Sequence, residues 1–242
     1  MVVPMYNEAR RLVADPWLEF LAADRARALY FVDDGSTDNT VELVEQLRAH
    51  APEQVMVLCL PTNGGKGEAV RRGMERALAD TTQYAGFIDA DLAAPLSEVA
   101  LLHDELAARC DLWAAIGSRV KLLGRQIHRS EVRHYLGRVF ATFASITLRL
   151  PVYDTQCGVK LFRNAPEVRR AFVQPFRSKW IFDVELIARL ADAAGPDTGL
   201  RVREVALERW EGRGGSRLRA TDFLKAPLEL LRIHRAYSRI TR

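Results

Sequence analysis

Asp89 and Asp91 follow directly on the apolar run Gly86, Phe87 and Ile88. Such a run is typical of a short buried strand. Strand side chains repeat every two residues, so two carboxylates in a chain that is still extended point to the same side. Adjacent carboxylates repel each other unless a cation lies between them. The pair therefore predicts a seat for a divalent metal that carries a phosphate-bearing substrate, and the alternative is a helix cap followed by a turn residue.

Strand and helix patterns alternate through the first half of the chain. Strands are predicted at residues 1–5, 28–32, 55–60, 84–88 and 112–116, and helices lie between them. This order predicts an α/β fold, a single domain with a mostly parallel central sheet flanked by helices. Ligands of such sheets bind outside the carboxyl ends of the strands, where five polar or glycine-rich loops fall here. These loops are residues 6–8, 33–38, 63–67, 89–91 and 117–119.

The helices of this half carry recognisable start signals and apolar faces. Asn39 is expected to cap a helix, with Glu42 three residues later as in a capping box. Pro95 and Ser97 are expected to open another. The predicted inward faces contain Val41, Val44 and Leu47, then Val70, Met74, Ala77 and Leu78, then Val99, Leu102 and Leu106.

The second half is different in character. A basic amphipathic helix is predicted at residues 125–150, a turn into a short strand at 154–162, and a helix start at 180–186 with two acids near its beginning. Residues 202–207 are predicted to form a strand, and a basic helix is predicted from Asp222 to about Ser238.

The net charge of +4 is unevenly distributed along the 242 residues. Residues 121–149 hold six Lys/Arg and one Glu, and residues 201–242 hold eleven Lys/Arg and five Asp/Glu. This basic excess suits phosphates, nucleic acid or an acidic membrane surface. The three cysteines lack metal-binding spacing and are expected to be free thiols in a reducing compartment. We expect neither a signal peptide nor a membrane-spanning segment, since no apolar run reaches 18 residues.

Several function classes fit the sequence poorly. The first half lacks the Gly-x-Gly-x-x-Gly fingerprint of NAD enzymes, and the 64–67 loop lacks the spacing of a P-loop. A sugar-nucleotide nucleotidyltransferase typically has a glycine-rich loop at its N-terminus, and residues 4–8 contain no glycine. A basic nucleic-acid-binding module remains an alternative, and it would bind in a salt-sensitive way without needing Asp89.

Eight motifs in order resemble those of the family 2 glycosyltransferases of GT-A fold, and most of all the dolichyl-phosphate β-glucosyltransferases and other polyprenyl-phosphate hexosyltransferases. The resemblance spans nearly the whole chain. Its motifs are residues 3–8, 33–38, 63–67, 89–91, 117–119, 154–162, 182–186, and Trp210 with 216–217.

The resemblance implies a nucleotide-sugar site in the first half. Asp91 would be the principal ligand of Mg²⁺ or Mn²⁺, with Asp89 beside it, contacting metal, ribose or sugar. Ala93 stands where some mannosyltransferase relatives place a third ligand, so water or substrate oxygens would complete the metal's coordination. The remaining nucleotide-sugar residues would be Pro4, Tyr6, Glu8, Asp33, Asp34, Gly65 and Lys66. Asp33 or Asp34 would accept a hydrogen bond from the base.

The resemblance also implies residues for the phosphates and the acceptor. Arg119, Arg133 and Arg217 would hold the phosphates of donor and acceptor. The acceptor and sugar pocket would contain Asp154, Gln156, Trp180, Asp183 and Glu185. Residues 1–220 would form the GT-A domain, with a nucleotide-sugar half at 1–119 and an acceptor half at 120–220, followed by a basic amphipathic helix at 221–242.

The implied reaction is a metal-dependent, inverting transfer of a hexose onto polyprenyl or dolichyl phosphate. The expected donor is UDP-glucose, and the alternatives are GDP-mannose as donor or a soluble sugar as acceptor. The apolar and arginine-containing helices around 139–148 and 224–237 would lie in the membrane interface. The expected location is the cytoplasm, peripheral on the cytoplasmic face of a membrane, with no nucleic acid as partner.

Overall fold

The computed structural model describes residues 1–80, 82–128, 131–179, 181–212 and 220–237, with side chains omitted at 131–136 and 220–225. Strands and helices alternate as far as α4, and the later elements follow in a less regular order. The strands are β1 Val2–Met5, β2 Leu29–Asp33, β3 Val55–Cys59, β4 Tyr84–Ile88, β5 Ala114–Ser118, β6 Gln126–His128, β7 Val159–Arg163, β8 Val202–Ala206 and β9 Arg209–Glu211. The helices are α1 Asp15–Ala22, α2 Thr40–His50, α3 Lys66–Ala79, α4 Glu98–Ala108, α5 Glu131–Leu148, α6 Pro166–Val173, α7 Phe182–Ala194, α8 Thr198–Arg201 and α9 Ala220–Ala236.

Seven strands form the central sheet in the order β3-β2-β1-β4-β7-β5-β8. All neighbouring pairs are parallel except those of β7, which runs antiparallel to both β4 and β5. The short strands β6 and β9 pair separately. The predicted α/β class with a mostly parallel sheet is confirmed. The parallel strands end at one edge, which places the loops that follow them side by side.

Helices cover both faces of the sheet, as the apolar runs of its strands require. On one face Trp17 of α1, Leu47 of α2 and Leu106 of α4 are buried in one cluster with strand residues. On the other face Met74 of α3 and Leu186 of α7 are buried in a second cluster. The inward faces predicted for α3 and α4 are confirmed, because all seven of their apolar residues are buried. On α2, Val44 and Leu47 are buried, and Val41 is partly exposed.

Three local predictions are wrong. Asn39 precedes α2 but makes no side-chain cap hydrogen bond, so the capping box with Glu42 does not form. Gly117 and Ser118 belong to β5 instead of closing it, because both pair with β8. The predicted helix from 125 to 150 begins only at Glu131, since residues 126–128 pair with β9.

The last helix packs against the body of the domain. Leu230 and Ile233 of α9 are buried with Ala144 and Leu148 of α5 and with residues of α7. Within the described residues, no helix has the length and apolar character needed to cross a bilayer.

Candidate active site

Asp89 and Asp91 lie in a tight turn that follows β4. The strand ends at Ile88, and the Leu92 amide donates a hydrogen bond to the Asp89 carbonyl over 3.1 Å. Leu92 has a φ of 49°, and Asp91 Oδ1 accepts a bond from the Ala93 amide at 3.1 Å. The turn, and not an extended strand, therefore orients the two carboxylates.

Gly158, the residue just before strand β7, packs against Asp89. The Asp89 amide donates to the Gly158 carbonyl over 3.1 Å. A Cβ on residue 158 would lie only 2.2 Å from Asp89 Oδ2. A side chain at residue 158 would therefore push the Asp89 carboxylate out of its position, and the motif around Cys157 and Gly158 forms one wall of the site.

Lys66 is the first residue of α3 and reaches across to the same carboxylate. Its Nζ lies 2.6 Å from Asp89 Oδ1. Burial would lower the pKa of Lys66, but the nearby carboxylates of Asp89, Asp183 and Asp91 raise it above its ordinary value. The ammonium is therefore protonated and offsets part of the negative charge of these three acids at the sheet edge.

This donor set suits a divalent cation that is shared with a substrate. Among the described residues no three acidic, histidine or cysteine side chains are arranged to hold a metal by themselves. Mg²⁺ is commonly held by one or two carboxylates together with substrate phosphates. Asp91, whose Oδ1 accepts one local backbone bond, and Asp89 fit that pattern.

The Gly64–Gly65 turn is held by Asp34, at the end of β2. Gly64 and Gly65 amides each donate to the Asp34 carboxylate at 2.7 Å. Burial raises the pKa of Asp34 above its ordinary value, although these two hydrogen bonds act in the opposite direction. Gly65 has a φ of 90°, and a Cβ there would approach the Lys179 side chain. Asp34 thus fixes the start of α3, and both of its oxygens are used.

Asp33 is placed differently from its neighbour. Its Oδ2 accepts a bond from the Ser36 amide at 3.0 Å, while its Oδ1 is buried with no hydrogen-bond partner among the described residues. Of the two acids predicted to meet the base, Asp33 is the one that retains an acceptor.

The loop after β1 is joined to the loop after β2. The Asn7 amide donates to Ser36 Oγ and the Glu8 amide to Thr40 Oγ1, both at 2.8 Å. Glu8 is buried and paired with Arg11 at 2.7 Å. Pro4 is a buried residue of β1, and Tyr6 is partly exposed just beyond it. The predicted nucleotide residues of this loop therefore adjoin Asp33 and Asp34.

Arg119 is held by Asp154 on the other side of Asp89. Its Nε and Nη2 donate to the two Asp154 oxygens at 2.6 and 2.8 Å, and its guanidinium lies 5.3 Å from the Trp210 ring centroid. Glu204 in turn accepts the amides of Tyr153 and Asp154, each at 2.7 Å. Burial would lower the pKa of Arg119, but Asp154 and then Cys157 and Asp89 raise it. The arginine is therefore fixed in place and charged.

Asp183 and Glu185 have different environments on α7. Lys160 is fully buried, and its Nζ donates to Asp183 Oδ1 at 2.5 Å and to the Cys157 carbonyl at 2.7 Å. Glu185 is also fully buried, and it accepts bonds from the Arg177 amide, Arg189 and the Tyr237 hydroxyl. Asp183 thus belongs to the charged cluster, whereas Glu185 joins α7 to the chain around it.

Three predicted residues have side chains outside the described part of the chain: Arg133, Trp180 and Arg217. Gln156 is partly exposed in the turn before Cys157, and its backbone N–H donates a hydrogen bond to Asp154 Oδ1 at 3.2 Å. Cys157 is buried and its pKa is raised to about 11, chiefly by burial, so it is not an activated nucleophile.

Sequence reasoning missed Lys160 and Glu204 as supports of the site. Each lies on a strand and meets a partner far away in the sequence, Asp183 or the 153–154 backbone. A lysine inside an otherwise apolar strand was the available signal for Lys160, because a fully buried ammonium needs an acidic partner.

Comparison with known proteins gives the family. The model named Glycosyl transferase family 2 matches residues 1–166. The chain belongs to glycosyl transferase family 2. It is 32% identical to dolichyl-phosphate beta-glucosyltransferase of Saccharomyces cerevisiae over 98% of this chain and 74% of that protein. It is 35% identical to the protein of that name from Drosophila melanogaster over 90% of this chain and 68% of that protein.

Two solved structures share the fold. Glucosyl-3-phosphoglycerate synthase from Mycobacterium tuberculosis in complex with Mn²⁺ and UDP-glucose superposes with a TM-score of 0.66 at 19% identity, over 96% of this chain and 77% of that one. A mannosyltransferase from Pyrobaculum calidifontis with GDP-Man and Mn²⁺ has a TM-score of 0.59 at 17% identity, over 98% and 62%. The GT-A architecture expected from the motifs is confirmed.

Proposed function

We propose that this family 2 glycosyltransferase transfers glucose from UDP-glucose to dolichyl or another polyprenyl phosphate at a membrane surface. The observation that carries the proposal is the similarity, over nearly the whole chain, to dolichyl-phosphate beta-glucosyltransferases. The charged cluster at the sheet edge supplies what such a reaction needs, namely carboxylates for a cation and fixed positive groups for phosphates.

The donor is assigned to the first half of the chain. Asp33 is assigned as the acceptor of a hydrogen bond from the uracil, and the loop containing Tyr6 and Glu8 lies beside it. Asp91 and Asp89 hold Mg²⁺ or Mn²⁺, which, when bound, stabilises the negative charge that develops on the departing diphosphate. Lys66 adds a positive charge at the same place.

The acceptor is assigned to the second half. A phosphate monoester has a second pKa of about 6 and is largely a dianion at neutral pH. It therefore needs no strong general base, unlike a sugar hydroxyl. The difficulty is the approach of two anions, which Arg119 reduces because Asp154 keeps its guanidinium oriented beside Asp89. Arg133 and Arg217 keep the phosphate-binding roles predicted for them.

Direct displacement by the acceptor phosphate inverts the anomeric configuration. An α-linked donor gives a β-linked lipid product. Asp183, fixed by Lys160, is assigned to the sugar and acceptor pocket, together with Gln156 and Trp180.

Membrane contact is assigned to α5 and α9. Val139, Phe143 and Ile146 on α5 are 55%, 57% and 67% exposed, and their spacing forms one stripe. Leu228 and Leu231 on α9 are also exposed, as are Arg232 and Arg235. An apolar stripe with arginines beside it suits the surface of an anionic bilayer. The cytoplasmic face stays a prediction.

The test is incubation with Mn²⁺ or Mg²⁺, labelled UDP-glucose and dolichyl phosphate in detergent. A β-linked glucosyl lipid supports the proposal. Parallel reactions with GDP-mannose, and with phosphoglycerate as a soluble phosphate acceptor, separate the alternatives. Absence of lipid-linked product from every donor would refute the proposed function.

A further inference from the structure

Lys66 and Asp89 form an ion pair through a buried Asp89 oxygen, while the rest of both side chains is partly exposed. Their charged atoms are 2.6 Å apart, and the two side chains are 39% and 36% exposed. Asp91 and Asp183 also attract the ammonium. The negative charge of the acids assigned to the metal is thus already partly offset by a cation of the chain itself.

A carboxylate oxygen that pairs with an ammonium is a poorer ligand for a second cation. A divalent ion placed on Asp89 repels Lys66, so the side chain has to move away as the ion binds. The backbone of Lys66 is not free to follow, because Asp34 fixes Gly64 and Gly65 at 2.7 Å. Only the flexible side chain can change partner.

A diphosphate offers the ammonium that second partner. A move of the Lys66 ammonium from Asp89 to a phosphate oxygen would release the carboxylate. We propose that Lys66 is a built-in counter-ion of the acidic cluster and makes divalent-metal binding depend on the donor diphosphate. This inference rests on the metal and donor roles of the proposed function.

The coupling works in both directions. If the diphosphate raises the affinity for the cation, the cation raises the affinity for the diphosphate by the same factor. The free enzyme then binds the cation weakly, and the complete donor complex assembles as a unit.

The experiment measures Mn²⁺ affinity by electron paramagnetic resonance, without nucleotide and with saturating UDP, and uses no acceptor. K66M should bind Mn²⁺ about three- to fivefold more tightly than the wild-type protein in the absence of nucleotide, since a partly exposed ion pair is removed. The strengthening of Mn²⁺ binding by UDP should be smaller in K66M than in the wild type.

Two variants serve as matched controls. K66R keeps the positive charge and should retain the weak nucleotide-free affinity. R72M removes a charge from the exposed side of the same helix, where Arg72 pairs with Glu68 and Glu75, and it should change neither affinity.

Mn²⁺ affinity in nucleotide-free K66M that equals or falls below the wild-type value would overturn the inference, as would an equal gain in R72M. Failure to transfer glucose to dolichyl phosphate, with the UDP–Mn²⁺ coupling intact and K66M-sensitive, would overturn only the acceptor assignment. No Mn²⁺ binding by the wild type even with UDP would overturn both the inference and the metal role.

Discussion

At the scale of single residues, Asp91 carries the sharpest prediction. Within the part of the chain that the structure describes, the Asp91 side chain accepts one hydrogen bond, from the Ala93 amide two residues further on, so its replacement should disturb the fold little. D91N should lower kcat by about 100-fold or more, because the charge proposed to hold the cation against the diphosphate is lost. Initial rates with labelled UDP-glucose test this, with thermal unfolding as a check on folding.

The control for Asp91 is D104N. Asp104 is an acid of α4 whose side chain is 79% exposed, and its loss should leave the rate unchanged. A D91N rate within a few-fold of the wild type would exclude Asp91 as the principal ligand.

The Arg119–Asp154 pair carries a prediction about stability. Both side chains are largely buried, so D154A leaves a guanidinium without its partner. The free energy of unfolding should fall by about 3 kcal/mol, measured in urea. E45A breaks the exposed Arg48–Glu45 pair of α2 and should cost much less. Equal losses in the two variants would show that Asp154 does not hold Arg119 in solution.

The sequence predicted those site residues whose motif is local. Asp89, Asp91 and Lys66 follow or open elements whose boundaries are visible in the hydrophobic pattern, and the structure brings all three together. The supports of the site were not predictable in this way. Lys160 meets Asp183, and Glu204 meets the backbone at 153–154, only because the sheet brings distant strands together.

At the scale of elements, the exposed stripe of α5 carries a prediction about the proposed membrane contact. F143D should weaken binding to vesicles that contain anionic lipid by about tenfold, because it places a charge where an apolar ring would be buried. Co-sedimentation measures the binding. Activity on a short-chain, water-soluble acceptor should be retained.

The matched control for Phe143 is V173D. Val173 is the last residue of α6, and its side chain is exposed to a similar degree as that of Phe143, 53% against 57%. It lies on neither α5 nor α9, the two helices to which membrane contact is assigned. V173D should bind vesicles as the wild type does. If both variants lose binding equally, the contact is not specific to α5.

Elements whose apolar period is regular were predicted well, and those set by pairing were not. Strand β4 was predicted with its observed bounds, and the buried residues of α3 and α4 were those expected. The prediction of helix at residues 126–128 rests on the basic, amphipathic character of the stretch 125–150. It is wrong, because these three residues pair with residues 209–211. The partner strand lies more than 80 residues later, so no local pattern marks it.

At the scale of the whole molecule, alternation of strands and helices was enough to predict the α/β class and the edge that holds the site. The order of the strands was beyond the reach of that pattern. Strand β7 separates β4 from β5 and runs against both. The position of β7 becomes evident only in the structure, where residues 159–163 pair with β4 on one side and with β5 on the other.

The place of β7 also governs how the chain is completed during synthesis. Strands β4 and β5 are made first, but each lacks a neighbour until residues 159–163 have been made. Until then β4 has an open edge on the side opposite β1, and open edges are prone to pair with other chains. Insertion of β7 joins β4 to β5 and, in the same event, brings Gly158 against Asp89, while β8 still has to add to β5. The joining of β4 to β5 and the packing of Gly158 against Asp89 are therefore one step in the folding of this chain.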